Sequence, residues 1–238
     1  MLTMESLSIF FPCHNEQDHV KHMTSEALRV AASLVDDYEV IIVDDGSTDQ
    51  TPVIAKRLAA ENDHVKAIHH PKNKGYGAAL KTGFSCASKQ WVFYTDGDGQ
   101  FDLSEITSLM DLTESHDVIS CIRINRQDPL SRRLNSWGWN LIIRLLCGLK
   151  VRDVNCAFKL FRREVFEQIE LQSKGALIDT EVLLAAEHAG FRIAQRGVQH
   201  YPRAAGKQSG GDMKVILQAF WELFKFHNRS KPKKTRRR

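Results

Sequence analysis

Trp91-Val92-Phe93-Tyr94-Thr95-Asp96-Gly97-Asp98-Gly99-Gln100 joins five strand-forming residues directly to a turn carrying two acids and two glycines. The first half reads as a buried strand, because aromatic and β-branched residues favour a pleated, covered surface. In the second half Asp96 and Asp98 stand one residue apart. On its own such a turn needs no function, since Asp and Gly are good turn formers. Its surroundings change the reading. Similar short apolar runs occupy 7–11, 40–43 and 65–69 upstream and 118–121 downstream. Between them, 20–35, 52–60, 78–87 and 106–112 carry helix-like spacing. This alternation predicts an α/β fold with a mostly parallel central sheet covered by helices on both faces.

Beyond residue 125 the pattern changes. An apolar helix is expected at 134–149, short strands at 157–161 and 193–198, and a helix at 179–188. A flexible loop follows at 206–211, then a last helix at 213–227. No internal repeat or linker breaks the chain. At 238 residues it suits one large domain, 1–212, followed by the 213–227 helix and a basic tail, 228–238, too charged to fold alone. The net charge of +4 falls to −3 once the seven cations of that tail are set aside.

Five cysteines, Cys13, Cys86, Cys121, Cys147 and Cys156, form no CxxC pair. That argues against a disulfide framework or a zinc site and for a reducing compartment. No basic segment leads into an apolar run at the N-terminus, and no stretch reaches the roughly 18 apolar residues of a spanning helix. The expected location is cytoplasmic, dissolved or peripheral on the cytoplasmic membrane face.

Three polar clusters fall directly after strands: Asn15-Glu16, Asp44-Asp45-Gly46-Ser47 and Asp96 to Gln100. In an open parallel sheet, ligands bind beyond the carboxyl ends of the strands, where strand order reverses. The clusters would then share one crevice, and gathered carboxylates call for a compensating cation. Asp96 and Asp98, with Gly97 letting the backbone turn and Gln100 adding a neutral oxygen, suit Mg²⁺ or Mn²⁺. Such ions take few protein ligands and complete their shell with water and substrate phosphates. Asp44 or Asp45 is placed to accept hydrogen bonds from a nucleobase or ribose, while Ser47, Thr48 or Asp49 caps the next helix. Asn73 to Ala79 puts glycines at a helix start, where backbone N–H groups attract phosphate. Close packing of helix on sheet explains those glycines equally well.

Pro12-Cys13-His14-Asn15-Glu16, Val43 to Asp49, Asn73 to Ala79 and Asp96 to Gln100, in this order and spacing, resemble family-2 glycosyltransferases of the GT-A, Rossmann-like fold. Asp153-Val154-Asn155-Cys156-Ala157-Phe158-Lys159-Leu160-Phe161-Arg162-Arg163 resembles the dolichyl- and polyprenyl-phosphate sugar transferase branch. The resemblance spans about residues 7–226. It implies a metal-dependent hexosyltransferase that moves a sugar, with inversion, from a GDP- or UDP-linked donor to a lipid-phosphate acceptor. Carried across, it implies that Pro12, His14, Glu16 and Asp45 hold the nucleoside, with Asp44 as a second candidate. Asp96, Asp98 and Gln100 would hold the metal and the diphosphate, with Gly97 between them. Arg123 would contact the donor, and Arg203 and Lys207 would close on its phosphates. Asp153 and Asp179 are the candidates for the catalytic acid near the acceptor. Two positions depart from the family: His14 stands where tyrosine or a small residue is commoner, and Ala157 replaces a glycine.

The 213–227 helix is expected either to pack on the domain or to lie in a membrane interface with the basic tail on anionic lipid. Two other functions fit the residues. One is transfer to a soluble or polysaccharide hydroxyl on the same fold. The other is binding of nucleotide sugars or anionic polymers without turnover. The tail lacks aromatic residues and offers only salt-sensitive, sequence-blind attraction, so nucleic acid is not the expected partner.

Overall fold

Seven strands form one sheet in the order β3-β2-β1-β4-β6-β5-β7. They are β1 (Ser6–Cys13), β2 (Asp37–Asp44), β3 (Val65–His69), β4 (Trp91–Thr95), β5 (Val118–Ile124), β6 (Phe158–Arg162) and β7 (Ile193–Gln199). The computed structural model describes residues 4–125 and 130–202, the side chains of 130–133 excepted. The predicted loop at 206–211, the helix at 213–227 and the tail lie outside the described residues, as do Arg203 and Lys207.

The strands lie where short apolar runs occur because the central ones are covered on both faces. Leu7, Ile9, Phe10 and Phe11 on β1, and Val40 to Val43 on β2, are wholly buried. Parallel pairing from Ser6↔Asp37 to Cys13↔Asp44 carries β1 and β2 beyond the apolar runs that marked them. Glu39 ties this half of the sheet together. Its carboxylate accepts from Ser8 of β1 (2.6 Å), from Lys66 of β3 (2.6 Å) and from the amide and hydroxyl of Ser88 before β4 (2.7 and 2.9 Å).

Helices α1 (Val20–Leu34), α2 (Thr51–Glu61) and α3 (Tyr76–Cys86) connect the parallel strands. α1 lies against β2, α2 and the segment 103–114, whereas α3 packs on β1, β2 and the later helix Ile178–His188. α3 comes close enough that a side chain at Gly83 would enter the Phe10 ring. The predicted helix at 106–112 is a 3₁₀ segment, Leu103–Glu114. Its Ser108 and Thr113 hydroxyls bond carbonyls three residues back, at 2.7 and 2.6 Å, and Asp102 caps it through the Ser104 amide.

β6 is the one strand of the sheet that runs backwards, antiparallel to both β4 and β5. The chain reaches it through α4 (Leu130–Cys147), and α5 (Glu164–Gln168) and α6 (Ile178–His188) follow before β7. Reversal brings the start of β6 to the carboxyl ends of its neighbours, with Phe158 opposite Thr95. Leu134, Trp137, Leu141 and Leu145 of α4 recur at helical spacing and are exposed, Trp137 at 66% and Leu145 at 74%. No helix among the described residues is long and apolar enough to cross a membrane.

Candidate active site

Chain order reverses between β1 and β4, since β1 leads outward to β2 and β3 and the chain then returns to β1's other side. The crevice at their carboxyl ends is where such sheets bind ligands. Two turns meet there. Asn15, in a left-handed conformation at φ 59°, donates its amide to Ser47 Oγ (2.9 Å) and accepts from the Thr48 amide (2.8 Å). The Asp96 turn lies flat on β1 because residue 97 has no side chain. A Cβ there would come within 2.8 Å of the Pro12 carbonyl and 3.0 Å of Cys13 Sγ.

A pocket of about 520 Å³ opens beside the first turn, lined by His14, Asp44, Ser47, His69, His70 and Asn73 among others. That size falls within the usual range for small-molecule sites. Asp44 Oδ2 lies 3.2 Å from His69 Nδ1, and its Oδ1 accepts from the Ser47 amide at 3.1 Å. Asp45 is spent differently. It accepts from His70 Nδ1 at 2.6 Å and from the Lys74 and Gly75 amides at 2.9 Å. Of the two acids, Asp44 lines the pocket, while Asp45 pins the loop that walls it. Glu16 lies in the turn before α1, where its carbonyl receives the His19 and Val20 amides, and its carboxylate lies 3.8 Å from His19.

The glycines at the start of α3 serve packing. Gly75 donates to Asp45 and Gly77 to the Lys174 carbonyl at 2.9 Å, so neither amide is presented to a phosphate. Side chains at either would strike backbone of the 173–175 loop. That loop is held by Glu181, which accepts the Gln172 and Ser173 amides at 3.0 and 2.7 Å.

Asp96, Asp98 and Asp179 crowd the end of β4. Burial, then the charges of Asp98 and Asp179, raise the Asp96 acid to about 7, against relief from the Tyr76 hydroxyl and Lys159. Asp98 Oδ1 accepts the Gln100 amide at 3.2 Å. Among the described residues no three His, Cys, Asp or Glu groups form a cage for a metal. Two hard carboxylates at a crowded, partly buried turn fit Mg²⁺ or Mn²⁺, which draw their remaining ligands from water and substrate phosphate. Gln100 faces another way with part of its amide: Nε2 donates to the Tyr201 carbonyl at 3.0 Å, and Tyr201 N donates to the Gln100 backbone carbonyl at 2.9 Å. The turn is thereby tied to the chain leaving β7, which continues toward Arg203 and Lys207.

The two expected acceptor-side acids are both in ion pairs. Arg123 at the end of β5 grips the buried Asp153 with Nε and Nη2, each at 2.8 Å, in a partly buried fork. Asp179 accepts from Lys159 Nζ at 2.8 Å and from the Tyr94 hydroxyl. Lys159 is fully buried, and its other donors go to Tyr94 Oη (2.8 Å) and the Cys156 carbonyl (2.6 Å). Burial and the neighbouring Asp179 charge push the Tyr94 hydroxyl well above its usual range, so it stays a donor. Lys159, Tyr94, Tyr76, His69 and His70 are the participants that sequence reasoning missed. Lysine in a short apolar run was the available signal, since a lysine is seldom fully buried unless paired.

A doubly wound sheet with a nucleoside-sized pocket after β2 and paired acids after β4 defines the GT-A class of fold. The chain belongs to glycosyl transferase family 2, whose model matches residues 8–170. It is 30% identical over 239 residues to glycosyltransferase AglD of Haloferax volcanii, covering 91% of this chain and 37% of that one. It is 29% identical over 237 residues to the dodecaprenyl-phosphate galacturonate synthase of Rhizobium johnstonii, covering 95% and 69%. With the undecaprenyl-phosphate 4-deoxy-4-formamido-L-arabinose transferase of Yersinia pestis it shares 31% over 216 residues, covering 90% and 65%. The chain thus spans between about a third and two thirds of the length of these relatives. Its fold matches glucosyl-3-phosphoglycerate synthase from Mycobacterium tuberculosis, solved with Mn²⁺, UDP and glucosyl-3-phosphoglycerate. That match has a TM-score of 0.73 at 18% identity over 94% of this chain and 80% of that one.

Proposed function

We propose that the chain transfers a sugar, with inversion, from a GDP- or UDP-linked donor to the phosphate of a polyprenyl-phosphate carrier. One observation carries the choice of acceptor: Asp153 and Asp179 are both held by cations, Arg123 and Lys159. Either acid would have to abandon its partner before taking a proton, leaving a buried charge uncompensated. A sugar hydroxyl needs a base to become a nucleophile. A phosphate monoester, with a second pKa of about 6, arrives already ionised. The Rhizobium and Yersinia relatives, named for dodecaprenyl and undecaprenyl phosphate, support the same acceptor.

In this reading the pocket at His14, Asp44 and His69 takes the nucleoside, and the diphosphate runs toward Asp96 and Asp98. A divalent ion bound there supplies Lewis-acid stabilisation of the departing diphosphate. Asp153 keeps Arg123 oriented, so that its guanidinium reaches the donor with charge-assisted hydrogen bonds. Asp179 balances Lys159 beneath the turn. The acceptor oxygen forms its bond to the anomeric carbon as the bond to the diphosphate breaks, which inverts that centre in one displacement. Arg203 and Lys207, which follow Tyr201 in sequence, add positive charge for the leaving group. The exposed apolar face of α4 is the proposed contact with the carrier's membrane.

The test pairs GDP- and UDP-hexoses and Mn²⁺ with a short-chain polyprenyl phosphate or the matching prenol. Product is expected with the phosphate alone, at a rate nearly flat between about pH 7 and 9. Comparable transfer to the prenol, or a rate rising tenfold per pH unit, overturns the acceptor assignment.

A further inference from the structure

The wall of the nucleoside-sized pocket and the paired acids are joined by one short run of chain. Asp45 holds His70 and the Lys74 and Gly75 amides, and His70 Nε2 lies 2.9 Å from Thr82 Oγ1 on α3. His70 and Asn73 line the pocket. A Cβ on Gly46 would strike the Lys72 and Asn73 backbone, so this loop lies directly on the end of β2. Segment 70–75 is therefore both pocket wall and entry to α3. The next residue, Tyr76, reaches over to donate its hydroxyl to Asp96 Oδ1 at 3.1 Å.

We infer that Tyr76 is a positioning residue that couples filling of the nucleoside pocket to divalent-cation binding at Asp96 and Asp98. The inference rests on the reading of that pocket as the donor site. The hydroxyl occupies Oδ1 and fixes the direction in which the other Asp96 oxygen points. Tyr76 in turn is placed by the loop that a nucleoside would rest against. A nucleoside seated on His70 and Asn73 restricts that loop, so the ordering cost is met once for both ligands. Linkage makes the benefit reciprocal.

A nucleoside carries no phosphate and cannot touch the cation, so any effect it has on Mn²⁺ must pass through the protein. Mn²⁺ affinity is measured by titration calorimetry with and without saturating uridine or guanosine, after UDP and GDP binding with Mn²⁺ has been recorded. The nucleoside that fits is expected to tighten Mn²⁺ about fivefold, the lower end for coupled sites. In Tyr76→Phe, which keeps the ring, Mn²⁺ should bind more weakly and the nucleoside should no longer help it. Nucleoside affinity alone should stay within about twofold of the parent's. If UDP or GDP binds but neither nucleoside alters Mn²⁺ affinity, the coupling is overturned and the donor site stands. If the nucleoside effect persists in Tyr76→Phe, Tyr76 is not the link. Failure of both nucleotides to bind overturns the donor site and this inference together.

Discussion

Asp96 is held near its neighbours' charges by the fold, and the crowding has a cost that can be measured residue by residue. Burial, together with the charges of Asp98 and Asp179, keeps the Asp96 acid at about 7. Removing one charge should stabilise the protein while removing its chemistry. Asp98→Asn is expected to raise the unfolding free energy by about 1 kcal/mol, the gain typical of relieving a strained functional site. The same change should lower Mn²⁺-dependent transfer at least a hundredfold. A variant that unfolds more easily would show that Asp98 is needed to hold the turn through the Gln100 amide. Lys159 behaves in the opposite sense, because it is wholly buried and its partner cannot escape to water. Lys159→Met should cost about 3–5 kcal/mol by stranding Asp179. Adding Asp179→Asn should restore at least half of that loss in urea denaturation, and a double variant as unstable as the single one would rule the ion pair out as the cause.

At the scale of elements, one carboxylate joins three. Glu39 of β2 is bound by Lys66, Ser8 and Ser88. Burial alone would raise its pKa, yet these hydrogen bonds leave it below the ordinary value of 4.5. Because the folded pKa is depressed, the stabilisation is complete above the unfolded pKa and fades as pH falls through the folded one. Glu39→Gln is therefore expected to cost about 2 kcal/mol at pH 7, as for hydrogen bonds to a charged group, and progressively less below pH 4.5. Chemical denaturation at pH 7 and pH 3.5 checks both halves, and an equal cost at the two values would sink the assignment. The strands themselves were legible in the sequence. Runs such as Ile9 to Phe11 and Val40 to Val43 are apolar without alternation because helices cover both faces. The direction of β6 was not legible, since a five-residue strand reads the same either way. The polar clusters were found by their place after strands, but their division of labour was not. Nothing local distinguishes Asp45, spent on the backbone of Lys74 and Gly75, from Asp44, which lines the pocket.

For the whole molecule, the proposed membrane attachment divides between an apolar part and a charged one. Leu134, Trp137, Leu141 and Leu145 line α4, and no acid occurs from Leu130 to Arg152, where Arg132, Arg133, Arg144, Lys150 and Arg152 are all basic. Trp137→Ser with Leu145→Ser should weaken co-sedimentation with anionic vesicles at every salt concentration while leaving the melting temperature unchanged, because both side chains are exposed. Deleting 229–238 should remove chiefly the salt-sensitive share of binding. Equal vesicle binding by the α4 variant would remove that helix from the contact. The backward strand has a further consequence, for the order in which the protein is made. β6 fills the gap between β4 and β5 although it leaves the ribosome after both. The block β3-β2-β1-β4 can assemble as soon as Thr95 emerges. From then until Arg162 is synthesised, β4 offers a bare hydrogen-bonding edge and β5 has no neighbour in the sheet. Such edges pair readily with other chains. A nascent chain that has emerged to about residue 150 is thus open to such pairing, and the arrival of five residues, Phe158–Arg162, covers the β4 edge.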